Sequence, residues 1–328
     1  MAEMNILEAI RSAMDEEMER DERVMVLGED VGKKGGVFGT TEGLFAKYGH
    51  KRVLDTPLTE AMIAGAAMGA AIYGLRPIAE MQFADFVYPA FNQIVSEISR
   101  IHYRSNGTFR VPLVIRMPYG GGVHGALYHS QSNESYFTST VGLTVVAPGT
   151  PADARGLLKA AIRSDDPVLF FEHKKTYRLF RAEVPSDDEI VPIGKADVAR
   201  AGRDVSIFCY GYMRTCALEA AETLAREDGV EAEIVDLRSL RPLDTETVLA
   251  SIAKTGKALV VHEANQFGGF GAEVAATIAE HGFEHLDGPV TRLAAPEVPA
   301  VPFHHDLEDW YMVNPAKIVE AARRLAAY

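Results

Sequence analysis

The chain has 328 residues, 47% of them hydrophobic and 24% charged, a length that at roughly 150 residues per domain predicts two domains with no need of disulfides or a structural metal. Its 33 basic and 46 acidic side chains leave a net charge of −13, which excludes nucleic acid as the main ligand, because phosphate binding demands a basic face. Two cysteines are too few for a disulfide framework, no basic and apolar leader opens the chain, and no apolar run reaches the roughly 20 residues of a membrane span, so a cytoplasmic protein without membrane contact is expected.

In chain order, Ile6, Leu7, Ile10, Ala13, Met14 and Met18 recur at helical spacing and predict an amphipathic helix over 5–20. A strand over Val24–Leu27 runs into the glycine-rich stretch Gly32–Gly43, a loop. Arg52–Asp55 reads as a strand. Thr56 as N-cap and Pro57 in the first turn then predict a small-residue helix over Leu58–Tyr73. A strand over Pro77–Met81 precedes a long helix over Tyr88–Tyr103, whose residues Phe91, Ile94, Val95, Ile98 and Ile101 face either core or partner. The run Val111–Met117 is a strand, and Gly120-Gly121-Gly122 opens a second glycine loop reaching past His129 to Ser139. A strand over Leu143–Val146, a helix over Pro151–Ser164 and a strand over Val168–Phe171 follow.

Acidic side chains and prolines then replace the apolar rhythm over Glu183–Pro192 and predict an interdomain linker. Beyond it, strands at Val205–Cys209, Ala232–Asp236, Ala258–His262 and Val290–Leu293 alternate with helices at Thr215–Arg226, Asp244–Lys254, Gly271–His281 and Pro315–Ala327. Short strands alternating with helices imply parallel sheets covered on both faces. The fold class expected is α/β, two tandem parallel-sheet domains over 1–182 and 195–328 with a linker at 183–194.

Three stretches could carry chemistry. Glu60 shares a helical face with Ala64 and Ala67. It is either a first-turn glutamate favoured by the helix dipole or a carboxyl that desolvation holds ready to exchange a proton. The loop from Gly120 to Ser132 gathers His124, His129, Ser130, Gln131 and Ser132 after a strand, where α/β proteins place ligands; the alternative is a solvated loop with incidental histidines. In Ala79–Phe86 a strand runs into polar and aromatic residues, so Gln82 and Phe86 suit a pocket rim, although a phenylalanine is also a core residue. No Walker A, Rossmann fingerprint, Gly-x-Ser-x-Gly elbow or His-Glu-x-x-His zinc motif occurs, and no metal ligand is assigned to this chain.

Taken together, Leu27-Gly-Glu-Asp-Val31, Asp55-Thr-Pro-Leu-Thr-Glu60, Glu80-Met-Gln-Phe-Ala-Asp85 and Val123-His-Gly-Ala-Leu-Tyr-His-Ser-Gln-Ser132 resemble the β subunit of the thiamine-diphosphate-dependent 2-oxo acid dehydrogenases. Asp236-Leu-Arg-Ser-Leu-Arg-Pro-Leu-Asp244 and His262-Glu-Ala extend the resemblance over nearly the whole chain. It implies a transketolase-type pyrimidine-binding domain followed by a transketolase-type C-terminal domain.

The resemblance implies that Glu60 and His129 are catalytic. Glu60 would protonate the cofactor's aminopyrimidine, and His129 would act on substrate or on the lipoyl dithiolane. It places Glu29, Leu58, Thr59, Gln82 and Phe86 with Glu60 around the cofactor, and Phe83, Ala84, Asp85, Phe86 and His129 around the substrate. Two departures stand out: Phe86 occupies a position where some relatives carry tyrosine, and Asn133 one where many carry proline. No Gly-Asp-Gly occurs in the chain, so the diphosphate and its Mg2+ are expected on a separate α subunit, in an α2β2 heterotetramer that serves a lipoyl acyltransferase core. The stretch His124–His129 looks most like the branched-chain enzymes, with 3-methyl-2-oxobutanoate as the leading substrate. Pyruvate or acetoin dehydrogenase β subunits are the alternatives, and a non-catalytic binding module is disfavoured by the presence of both Glu60 and His129.

Overall fold

Asn5 opens the helix Ile6–Arg20 with a capping box: its side chain accepts from the Glu8 amide, and the Glu8 carboxylate accepts from the Asn5 amide. Two amides without a partner in the helix are thereby satisfied. The six apolar residues that predict this helix are all buried. The computed structural model describes residues 2–328 and divides into two compact units. One extends to Tyr119 and resumes over Tyr136–Ile193; the other joins Gly120–Ser135 to Gly194–Tyr328.

The first unit is built on parallel strands in the order Thr144–Val146, Val168–His173, Val114–Tyr119, Arg76–Glu80, Val24–Gly28, Val53–Asp55. Val26, Ile78, Val114 and Phe170 of these strands form one buried cluster with Ile10 and Met14 of the first helix and Leu157 and Leu158 of the helix Pro151–Arg163. In a parallel sheet all carboxyl ends lie at one edge, where ligands bind. Three strands deliver Glu29, Thr56 and Met81 there.

Two helices depart from expectation. The small-residue helix is Glu60–Ile72, with Thr59 rather than Thr56 at its cap and no side-chain capping bond. Thr56 instead donates its amide to the Gly28 carbonyl at 2.9 Å, which keeps the chain extended past the strand and leaves Pro57 outside the helix. Glu60 is therefore the first helical residue. The expected helix Tyr88–Tyr103 is a succession of short pieces: 3-10 turns at Ala84–Phe86 and Tyr88–Ala90, a π-helical segment Gln93–Ile98 and an α-turn Ile101–Arg104. Ser99 bonds back to the Val95 carbonyl at 2.8 Å, a side-chain competitor for the helical ladder. Ile94, Ile98 and Ile101 are buried, so this face is largely core.

The acidic, proline-bearing stretch after Glu183 lies along the helix Pro151–Arg163. Arg155 donates to the Asp187 carbonyl at 2.8 Å, and Val191 sits so close over Gly156 that a Cβ there would meet it at 2.5 Å. Val191 and Ile193 pack onto the first unit's core.

In the second unit the strand order is Thr291–Ala295, Ala258–Asn265, Val205–Cys209, Ala232–Asp236, Asp197–Arg200. The last strand, absent from the expectation, runs antiparallel at the edge, and the other pairs are parallel. The four expected helices are present as Tyr212–Asp228, Thr245–Thr255, Gly271–His281 and Pro315–Ala326. A fifth, His305–Tyr311, was not expected. Both units are α/β. Among the described residues no helix is long and apolar enough to cross a membrane.

Candidate active site

At the carboxyl edge of the first unit, the strand Val24–Gly28 ends and delivers Glu29 into the interior. Glu29 is 4% exposed, and among the described residues neither of its carboxylate oxygens has a hydrogen-bond partner. Burial, then the charges of Glu60 and Asp30, push its carboxyl up to about 7. Burial disfavours the ionised form, and like charges nearby add to the effect. Glu60 is half-buried at the head of a helix whose Ile63, Ala64, Ala67 and Ala71 are buried. Burial thus favours the protonated form of Glu29, which sequence reasoning names only as a lining residue.

The other predicted residues of this unit fall around the same edge. Gln82 is half-buried and donates to Asp30 at 3.4 Å. Phe83 meets Phe86 edge-on at 5.4 Å between centroids and Phe38 at 5.5 Å, while Ala84 and Asp85 are buried. Leu58 and Thr59 are exposed, Leu58 by 82%.

Beneath this edge lies a buried charge network. The Arg116 guanidinium donates to Glu172 at 2.6 and 2.8 Å and to Glu80 at 2.7 Å. Tyr177 donates to Glu172 at 2.6 Å and Thr40 to Glu80 at 3.2 Å. Thr40 belongs to the glycine-rich stretch, whose Gly32 amide is held by Asp55 at 2.6 Å and whose Thr41 bonds the Val31 carbonyl at 2.7 Å. These bonds fix the backbone around Glu29.

His129 is carried by the second unit. It follows the 3-10 turn Ala126–Tyr128 and is half-buried. Three buried carboxylates hold its loop. Glu263 accepts from the Gly121 amide at 2.6 Å and from the Ser132 hydroxyl at 3.1 Å. Glu308 accepts from the Gly122 amide at 2.8 Å and the His124 amide at 3.2 Å, and it lies 2.7 Å from His124 Nδ1. Glu134 accepts from Tyr210 at 2.5 Å, and burial pushes its carboxyl up to about 7. His262, buried against Gly269 and Gly271, is held down to about 4 by desolvation and by Arg292, so it is neutral at physiological pH.

Sequence reasoning did not identify Glu134, Glu263 or Glu308 as site residues. Glu263 lies within His262-Glu-Ala; Glu308 has no local signal, being one acid among several in His305–Tyr311. Among the described residues, His304, His305 and Asp306 bring ligand-type atoms within 4.8 Å of one another, and all three are exposed.

Residues 2–179 match the transketolase pyrimidine-binding domain and residues 194–318 the transketolase C-terminal domain. The 2-oxoisovalerate dehydrogenase subunit beta of Bacillus subtilis is 56% identical over 328 residues, the whole of both chains. This chain belongs to the β subunits of the thiamine-diphosphate-dependent 2-oxo acid dehydrogenases. The pyruvate dehydrogenase E1 component subunit beta of the same organism is 45% identical, again over the whole of both chains. Among solved structures, a split gene transketolase described as an inactive beta4 tetramer matches with a TM-score of 0.80 and 26% identity, covering 99% of this chain and 98% of that one.

Proposed function

We propose that this chain supplies the proton-handling half of an active site that decarboxylates branched-chain 2-oxo acids of the 3-methyl-2-oxobutanoate type and passes the acyl group to a lipoyl domain. The observation that carries the substrate class is the 56% identity, end to end, with a 2-oxoisovalerate dehydrogenase subunit, against 45% with a pyruvate dehydrogenase subunit.

The residues of the first unit fit an aminopyrimidine. Glu29 is a buried acid with both oxygens unpartnered among the described residues, and the half-buried Glu60 lies close enough to raise it. Such a pair suits a ring that needs a proton at one nitrogen. Thiamine diphosphate, when bound, supplies a carbon nucleophile for the 2-oxo carbonyl and a sink for the electron pair left as carbon dioxide departs. Glu60 holds and returns a proton at the pyrimidine nitrogen, a task that suits a carboxyl. Burial favours the protonated form of Glu29, which keeps the pair from carrying two full charges. Gln82 orients the ring's polar edge, Leu58 and Thr59 border it, and Phe83 and Phe86, with Ala84 and Asp85 behind them, bound the substrate's apolar side chain. His129 lends a proton to the sulfur released when the lipoyl dithiolane opens, a role an imidazole can fill as general acid.

The diphosphate and its Mg2+ are assigned to an α subunit, since no Gly-Asp-Gly occurs in the chain, and the working enzyme is an α2β2 heterotetramer that serves a lipoyl acyltransferase core. Steady-state rates of the reconstituted α–β enzyme test this reading. Higher kcat/KM on 3-methyl-2-oxobutanoate and its branched homologues than on pyruvate is expected; a preference for pyruvate overturns the substrate assignment.

A further inference from the structure

We propose that Glu308 is a positioning residue for His129, acting as a latch on the loop that carries it; the inference rests on the role given to His129 above. Three donors from one turn converge on this carboxylate: the Gly122 amide, the His124 amide and the His124 ring nitrogen Nδ1. Glu308 is itself 1% exposed. Its helix, His305–Tyr311, is anchored where Tyr311 and Met312 join a buried cluster with Ala295 and Val301.

The turn needs such a latch. His124 and Ala126 have φ of +56° and +54°, a left-handed conformation that side-chain-bearing residues adopt only when their surroundings impose it. Charge-assisted bonds from a buried carboxylate to two amides and an imidazole are strong enough to impose it. The strained turn also touches the backbone of His129 directly. A Cβ on Gly125 would lie 2.7 Å from the His129 carbonyl oxygen and 2.8 Å from Ser130 Oγ. There is no slack between the turn and the histidine, so a displacement at His124–Ala126 displaces His129. Glu263 fixes the two ends of the loop, at Gly121 and Ser132. Glu308 fixes the conformation between them.

Glu308→Gln retains the shape but turns an amide nitrogen toward groups that are themselves donors. In the assembled α–β enzyme it is expected to lower reductive acylation on the order of 10²-fold, the scale of a small misplacement of a reacting group. The decisive readout is the double variant. If Glu308 acts through His129, adding Glu308→Gln to His129→Ala lowers the rate by less than about threefold, because coupled residues are not additive. An undiminished second loss on that background overturns the latch alone. A His129→Ala enzyme as fast as the parent overturns the role of His129 and the latch with it. His124→Asn, at an exposed residue, guards against a folding failure and is expected to give a smaller loss that also vanishes on the His129→Ala background; a loss that persists there counts against the latch. Hydrogen exchange on the full chain without partner or cofactor supplies a readout besides activity. The Gly122 and His124 amides are expected to exchange faster in Glu308→Gln while Val205–Cys209 stays protected, and unchanged exchange at Gly122 overturns the proposal.

Discussion

Glu29 and Glu60 are coupled: the buried carboxyl of Glu29 has no hydrogen-bond partner among the described residues, and the Glu60 charge helps raise it to about 7. A protein without a use for that proton gains nothing by burying an acid there, because burying an ionisable group costs stability unless it is paired.

That cost sets the first prediction, on stability against pH. A carboxyl raised in the folded state from an ordinary 4.5 to about 7 binds more protons when folded than when unfolded between those two values, so it lowers stability as pH rises through that window. Glu29→Gln removes the effect. Urea unfolding of the chain is expected to show the variant gaining on the parent from pH 4.5 to pH 8 by roughly 2–3 kcal/mol, at about 1.4 kcal/mol for each unit of pKa difference. An equal difference at both pH values contradicts it.

The second concerns the network beneath the site. Arg116→Met leaves Glu80 and Glu172 buried with no cation between them. Removing one partner of a buried ion pair costs about 3–5 kcal/mol, measurable as a lower unfolding midpoint. A loss below about 1 kcal/mol contradicts this reading of the network as a compensated charge cluster.

The third separates two roles for His129. If it lends a proton during acyl transfer, His129→Ala lowers reductive acylation far more than decarboxylation followed with an artificial electron acceptor, by roughly 10²-fold or more. Parallel losses in both assays, together with weaker cofactor binding, leave it as a residue that only orders its loop.

The elements that local chemistry governs were readable from the sequence. The helix Ile6–Arg20 announces itself through periodic apolar residues and Asn5, and the alternation of strand and helix was enough for two α/β halves. Where tertiary contacts decide, local spacing misleads. Thr56 and Pro57 form a good helix start in isolation, but the bond from Thr56 to Gly28 extends the strand and moves the start to Glu60. The periodic run Tyr88–Tyr103 buries its isoleucines as expected, but through a π-helical segment that no spacing rule distinguishes from an α-helix. In the site, Glu60 was legible because small residues surround it in sequence. The raised carboxyl of Glu29 comes from burial by distant segments, and Glu308 reaches its loop across 184 positions. Neither relation leaves a local trace.

The fourth prediction reaches the centre of the account, which assigns proton transfer at the cofactor's pyrimidine to Glu60. Glu60→Gln keeps the shape and one hydrogen bond but cannot give or take the proton. The measurement is single-turnover decarboxylation of 3-methyl-2-oxobutanoate by the assembled α–β enzyme at saturating thiamine diphosphate, with cofactor affinity titrated in parallel. The account predicts a rate lower by roughly 10²–10⁴-fold, the usual contribution of a general acid–base group, with the cofactor still bound. A variant within about threefold of the parent, far short of that contribution, would contradict it and leave Glu60 as a first-turn glutamate serving only its helix dipole.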